Sequence, residues 1–220
     1  MDGLKIWLYG KPFSGKTKFA NEFDKPFIIN TDGNAKFVTK DYCMVKNIKE
    51  FSEKLDWFLK GEHEYKTLVI DVVEHIYDFI RVFFLDKYNI DHESDSGWGK
   101  AYNMITEGFW KVMSRLASCD YTVVFISHEK EYTVKNKVGV EITHWKPALN
   151  EKLHDRMCGI MQLVGRCYVD EVVLNGEPLK RYFISFGSNV TELSGVRVPL
   201  NKLKIENTYQ EFKNNIKEIS

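Results

Sequence analysis

Leu4-Lys5-Ile6-Trp7-Leu8-Tyr9-Gly10-Lys11-Pro12-Phe13-Ser14-Gly15-Lys16-Thr17 is the stretch that decides the reading of this chain. Its first half, Leu4 to Tyr9, is an apolar run that stops at a glycine, the signature of a buried strand. Its second half, Gly10 to Thr17, is the pattern Gly-x-x-x-x-Gly-Lys-Thr, and Lys16 to Phe23 then reads as a helix. Glycines at the two ends of such a loop let backbone N–H groups converge on a phosphate. Lys16 supplies a cation for the outer phosphates, and the Thr17 hydroxyl is a ligand for Mg²⁺. Strand, loop and helix follow one another in the order this chemistry needs. The whole set Gly10, Lys11, Pro12, Phe13, Ser14, Gly15, Lys16 and Thr17 therefore reads as a site for a nucleoside triphosphate, ATP with Mg²⁺.

Outward from the loop, strands and helices alternate. Pro26 to Asn30 and Tyr42 to Val45 read as strands, and Ile48 to Leu59 as a helix with apolar residues at helical spacing. Thr67 to Asp71 is another buried strand, followed by a long helix to about Tyr88. Residues 91 to 99 are polar and form a loop, Tyr102 to Ala117 is helical, and Tyr121 to Ser127 is a β-branched strand. This alternation implies a mainly parallel central sheet with helices on both faces. Beyond residue 127 the character changes. Residues 129 to 146 suit a hairpin or mobile loop around Lys137-Val138-Gly139, and a short helix spans Glu151 to Leu163. Val164 to Leu174 and Arg181 to Phe186 read as strands joined by a turn at Asn175-Gly176, and Thr208 to Glu218 as an amphipathic helix. The expected fold is an α/β phosphate-loop core with a β-rich C-terminal extension of the sheet.

The 220 residues suit one domain spanning 1–220, with no linker or repeat to divide it. Hydrophobic residues make up 44% and charged residues 28%, and no apolar run approaches the roughly 20 residues of a membrane span. The N-terminus lacks the layout of a signal peptide. A cytoplasmic protein with no membrane partner is expected. Cys43, Cys119, Cys158 and Cys167 form no Cys-x-x-Cys pair and no zinc spacing, so reduced thiols are expected. The formal net charge of zero argues against a basic-tail nucleic-acid binder but leaves a local basic groove open.

Four further positions carry chemistry. Asp71 ends a buried strand read as lying beside the phosphate-loop strand, where a carboxylate can hold Mg²⁺ through its water shell or merely cap the next helix. Glu74, one helical turn on, could reach the site and position the attacking water, or be solvated or a cap. Asp32 could orient or deprotonate the attacking water, although Thr31-Asp32-Gly33 is also an ordinary turn. His128 could sense the terminal phosphate, or be an exposed loop histidine.

In this layout the chain resembles RecA-type recombination ATPases, and within them the small phage proteins reduced to a RecA-like core, including single-strand annealing proteins. Phe27-Ile28-Ile29-Asn30-Thr31-Asp32-Gly33 resembles the strand carrying that family's catalytic carboxylate, a glutamate in RecA and one methylene longer than Asp32. Leu68-Val69-Ile70-Asp71 resembles the Mg²⁺-associated strand. Val124-Phe125-Ile126-Ser127-His128 resembles the strand ending in the phosphate sensor, where RecA has glutamine and the phage branch histidine. Gly97-Trp98-Gly99-Lys100-Ala101-Tyr102 lies where RecA has its first DNA-binding loop, and residues 129 to 146 where it has its second.

The resemblance implies single-stranded DNA as partner, self-association into a ring or filament, a single-strand DNA-binding protein as a further partner, and the host cytoplasm as location if the chain is phage-encoded. DNA contacts would then come from Lys100, Lys130, Lys135, Lys137 and Lys146, with Tyr132 and Trp145 stacking on bases, while Glu129, Glu131 and Glu141 dilute the charge; the alternative is an ordinary solvated hairpin whose aromatics pack on the body. Arg197, or Arg156, is the candidate for a cation acting on a neighbouring subunit's site. Two other classes compete: a nucleotide-gated switch or replication loader without DNA affinity, and a small-molecule kinase. The kinase ranks below because the six arginines are scattered and form no lid.

Overall fold

The computed structural model describes residues 3–96, 99–135, 138–174, 176–187 and 189–217. Strand β1, Lys5–Gly10, lies at its centre and is buried along its whole length. A strand covered on both faces carries apolar residues without alternation, which is why Ile6 to Tyr9 read as a continuous run. Around it stand β2 (Pro26–Asn30), β3 (Tyr42–Met44), β4 (Thr67–Asp71), β5 (Thr122–Lys135) and β7 (Leu163–Leu174). Their order is β7-β1-β5-β4-β2-β3, every pairing parallel. The strand β4 is therefore not beside β1, as the sequence reading had it: β5 lies between them.

Helices cover both faces. Phe51, Leu55 and Phe58 of α2 (Ile48–Leu59), Ile76 and Ile80 of α3 (Val73–Tyr88), and Ile105, Phe109 and Met113 of α4 (Lys100–Ser118) bury one face with Trp7, Ile29, Ile70 and Phe125. Leu153 and Met157 of α5 (Glu151–Ile160) join them. The opposite face packs Leu8, Ile28, Val69 and Ile126 under Phe19 and Phe23 around α1 (Lys16–Ala20) and Phe212 of α6 (Tyr209–Asn215). The helix α2 starts on a reciprocal cap: the Glu50 N–H donates to Asn47 Oδ1 at 2.9 Å and Asn47 Nδ2 donates to Glu50 Oε1 at 2.7 Å. The helix α1 is only five residues long, ending three short of the expected Phe23, so its dipole adds less at the loop than a full helix would.

From β7 onward the sheet is antiparallel. The strand β8 (Glu177–Ser185) pairs with β7, the short β10 (Lys204–Glu206) with β8, and the two-residue β9 (Gly195–Val196) with β7. This is the anticipated β-rich extension, although β9 and β10 had no signal in the sequence. The region 129–146 is an ordered hairpin in its described residues. The strand β5 leaves the sheet after His128 and continues to Lys135, paired with β6 (Glu141–Pro147). Lys137 and the Gly97-Trp98 pair lie outside the described residues.

Candidate nucleotide site

The loop after β1 is shaped by backbone crowding. A Cβ on Gly10 would stand 2.1 Å from the Cys167 carbonyl oxygen of the adjacent β7, so only glycine fits there. Gly15 is left-handed at φ +83°, and so is Phe13 at φ +64°, whose ring is 93% exposed at the loop tip. Inside the loop, Lys16 is buried. Its Nζ donates to the carbonyls of Gly10 at 2.8 Å and Lys11 at 2.9 Å, and contacts Ser14 Oγ at 3.4 Å. Burial pushes the Lys16 pKa down, because its hydrogen-bond partners are neutral oxygens. A buried cation on carbonyls alone is the arrangement that an incoming polyanion relieves.

Opposite it, Thr17 Oγ1 donates to Asp71 Oδ2 at 2.8 Å. The two residues come from α1 and β4, and the contact is made although β5 lies between β1 and β4. Asp71 is 2% exposed, and burial pushes its carboxyl up to about 6 against the opposing Thr17 hydrogen bond. A hydroxyl and a buried carboxylate in contact are the donor set a hard divalent cation takes, so Thr17 and Asp71 fit Mg²⁺.

Asp32 and His128 line the same cavity, of about 790 Å³, as do Lys16, Thr17 and Asp71. The Asp32 carboxylate is tied down: Oδ1 accepts from Asn30 Nδ2 at 2.8 Å and Asn34 N at 3.0 Å, and Oδ2 accepts from Asn34 Nδ2 at 2.8 Å. Burial acts to raise its pKa, but these hydrogen bonds outweigh it and hold the group below the usual carboxylate range. Glu74 is placed differently from the expectation of a water-activating base. Its Oε1 accepts from the His128 backbone N–H at 2.9 Å and from His128 Nδ1 at 2.7 Å, and it is not among the cavity-lining residues. Its carboxylate holds the imidazole, and that hydrogen bond raises the His128 pKa.

The expected DNA contacts spread along the hairpin and are largely self-compensated. Lys135 pairs with Glu141 at 3.4 Å and Lys146 with Glu151 at 3.0 Å, while Glu131 of the hairpin pairs with Lys11 of the phosphate loop at 2.6 Å. Lys130 and Lys146 lie over the Tyr132 ring. Trp145 does not offer two free faces for stacking. The Arg166 guanidinium covers it at 4.1 Å, and the ring is half-buried against the core. Arg166 is itself held by Glu129 at 2.6 Å and Glu192 at 3.1 Å. Lys100 opens α4 on the surface, away from the cavity lining. Arg197 donates to the Cys158 carbonyl at 3.3 Å and Arg156 pairs with Glu107 at 3.0 Å; neither lines this molecule's own cavity.

The sequence reading missed the far wall of the cavity, which is built by Lys180, Arg181, Tyr182, Glu206, Asn207 and Thr208. These residues come from β8, β10 and the start of α6, and nothing in their local sequence marks them as part of a site.

The family model described as "AAA domain" matches residues 2–218. The chain belongs to that family. It is a P-loop ATPase domain with an α/β fold, a mainly parallel central sheet carrying the loop at the end of β1. Among solved structures, the chain is similar to a KaiC-like protein from the hyperthermophilic archaeon Pyrococcus horikoshii OT3. The identity is 13%, the TM-score 0.45, and the match covers 84% of this chain and 78% of that one. No curated protein matches. Among the described residues, no helix is long and apolar enough to cross a membrane.

Proposed function

We propose that the protein hydrolyses ATP with Mg²⁺ and couples its nucleotide state to single-stranded DNA held along the β5–β6 hairpin, acting in annealing or strand exchange as a self-assembled ring or filament. The carrying observation is that β5 is one uninterrupted strand, Thr122–Lys135. It places His128 at the cavity and, two to seven residues further, Lys130, Tyr132 and Lys135 on the hairpin. A change at the terminal phosphate therefore reaches the hairpin along a single backbone.

In this reading Lys16 and the N–H groups of the loop bind the phosphates, and Thr17 and Asp71 hold Mg²⁺, whose charge offsets that of the phosphates. Asp32, a carboxylate fixed at the cavity wall, orients the attacking water. Glu74 keeps His128 aimed, and its hydrogen bond favours the imidazolium, the form whose second ring nitrogen can donate to a phosphate oxygen. Arg197 is the group this reading offers to a neighbouring copy.

One observation favours a second reading, a nucleotide-gated switch or loader without DNA affinity of its own: Lys135 and Lys146 of the hairpin pair with carboxylates from the same molecule. ATP hydrolysis measured with and without single-stranded DNA, for the wild type and Lys16→Ala, separates the two. Stimulation by DNA that Lys16→Ala abolishes supports the DNA-coupled reading. Absence of DNA binding in every nucleotide state overturns it and leaves the switch.

A further inference from the structure

The turn between β10 and α6 touches the phosphate loop from 193 residues away. Asn207 Nδ2 donates to the Ser14 carbonyl oxygen at 2.9 Å. That carbonyl accepts only, so it dictates which end of the amide faces it. Asn207 Oδ1 is consequently left buried without a partner among the described residues. The amide is oriented by what the loop requires at the expense of its own satisfaction, which is the mark of a group set to hold something else.

What it holds is a peptide plane. The Ser14–Gly15 bond is trans, so its C=O and N–H point in opposite directions. With the carbonyl drawn toward Asn207, the Gly15 N–H is turned the other way, away from the Asn207 amide. That N–H has no acceptor among the described residues. Gly15 is left-handed, a region from which a glycine plane can rotate at little steric cost, so something must fix it. The contact is close: a Cβ on Gly15 would lie 2.8 Å from Asn207 Nδ2.

Asn207 is itself immobilised on both sides. Its backbone N–H donates to the Tyr182 carbonyl at 2.9 Å in β8. Two residues on, the Tyr209 N–H donates to Glu22 Oε2 at 2.9 Å, and Phe212 packs edge-on to Phe19 of α1 at 5.7 Å between centroids. The turn is thus anchored to the sheet extension and to the helix that leaves the loop.

We infer that Asn207 is a positioning residue for the triphosphate site: it sets the direction of the Gly15 N–H and so preforms the phosphate cradle. The inference rests on the nucleotide reading above.

Binding of ATP and of inorganic tripolyphosphate by the wild type, Asn207→Asp and Asn207→Gln, with the melting temperature of each ligand-free chain, tests it. Asn207→Asp sets an acceptor against the Ser14 carbonyl and should lower affinity for both ligands by about tenfold, with the ligand-free melting temperature held; Asn207→Gln, which keeps a donor, should recover most of it. Where Asn207→Asp melts early, Asn207→Ser removes the amide without adding charge and serves in its place. Unchanged affinity for both ligands overturns the proposal. So does a loss confined to ATP, which would make Asn207 a nucleoside contact. A lowered melting temperature in every variant, with no return of affinity in Asn207→Gln, reduces the residue to a fold contact. A wild type that binds neither ligand removes the nucleotide reading itself.

Discussion

The floor of the cavity and the β5–β6 hairpin are both rich in charge, but they treat it in opposite ways. On the floor, Lys16 is buried on neutral oxygens and Asp71 is buried with one hydroxyl; neither makes a direct ion pair among the described residues, and burial moves each pKa toward the neutral form. On the hairpin, Lys135 and Lys146 each meet a carboxylate at the surface, and Glu131 meets Lys11 of the phosphate loop. The floor is organised for a charged ligand the protein does not itself supply. The hairpin is already close to electrostatic balance, and a polyanion there must compete with the protein's own carboxylates.

The sharpest way to break this contrast is to remove the floor's cation. Lys16→Ala should lower ATP hydrolysis by about 10²–10³-fold in a steady-state assay; retention of wild-type turnover would dissolve the distinction. Asp71→Asn keeps an acceptor for Thr17 but lacks the charge for Mg²⁺. It should cost on the order of 10²-fold in Mg²⁺-dependent hydrolysis while ATP still binds in the presence of a chelator, as measured by calorimetry. Trp145→Ala should cost about 2 kcal/mol in urea unfolding, since the ring packs under Arg166 and against the core. A stable variant with weakened DNA binding would instead return Trp145 to the stacking role.

Glu131→Gln with Glu141→Gln should unmask Lys11 and Lys135. The DNA-coupled reading expects tighter single-strand binding and a salt dependence steeper by about 0.7 in log–log slope for each freed cation that meets a phosphate. The smallest effect is on pH. His128 faces Glu74, with Lys16, Asp32, Asp71 and His75 nearby, and its folded pKa is raised by the Glu74 hydrogen bond. The pair's contribution to stability is then complete below about pH 6.5 and is lost as pH rises through the folded value. Glu74→Gln should flatten that dependence and lower the His128 midpoint in an NMR titration; an unmoved midpoint would detach the two residues.

The same contrast explains what the sequence made legible. The loop, β1 and β4 were readable because their chemistry is local: glycines at fixed offsets, apolar strands ending in Gly10 and Asp71. The alternation of strands and helices up to residue 127 gave the parallel sheet, but not its order. No local pattern says that β5 inserts between β1 and β4, because that is settled by how helices pack on the two faces. Glu74 was found as a residue but not in its role, since its partner lies 54 positions away. Trp145 read as a surface aromatic in a charged hairpin; only the fold brings Arg166 over it. The wall from Lys180 to Thr208 was illegible because its residues are ordinary in their own surroundings and become part of the site by antiparallel pairing at the sheet's far edge.

The bond from Asn207 to Ser14 also has a consequence in time. Synthesis delivers residues 10–17 long before residue 207. The loop sequence is complete once residue 17 is made, yet the peptide plane at Gly15 lacks this anchor until Asn207 follows. On the inference above, a chain that had not yet reached residue 207 would carry the motif with its grip on phosphate weakened by about tenfold.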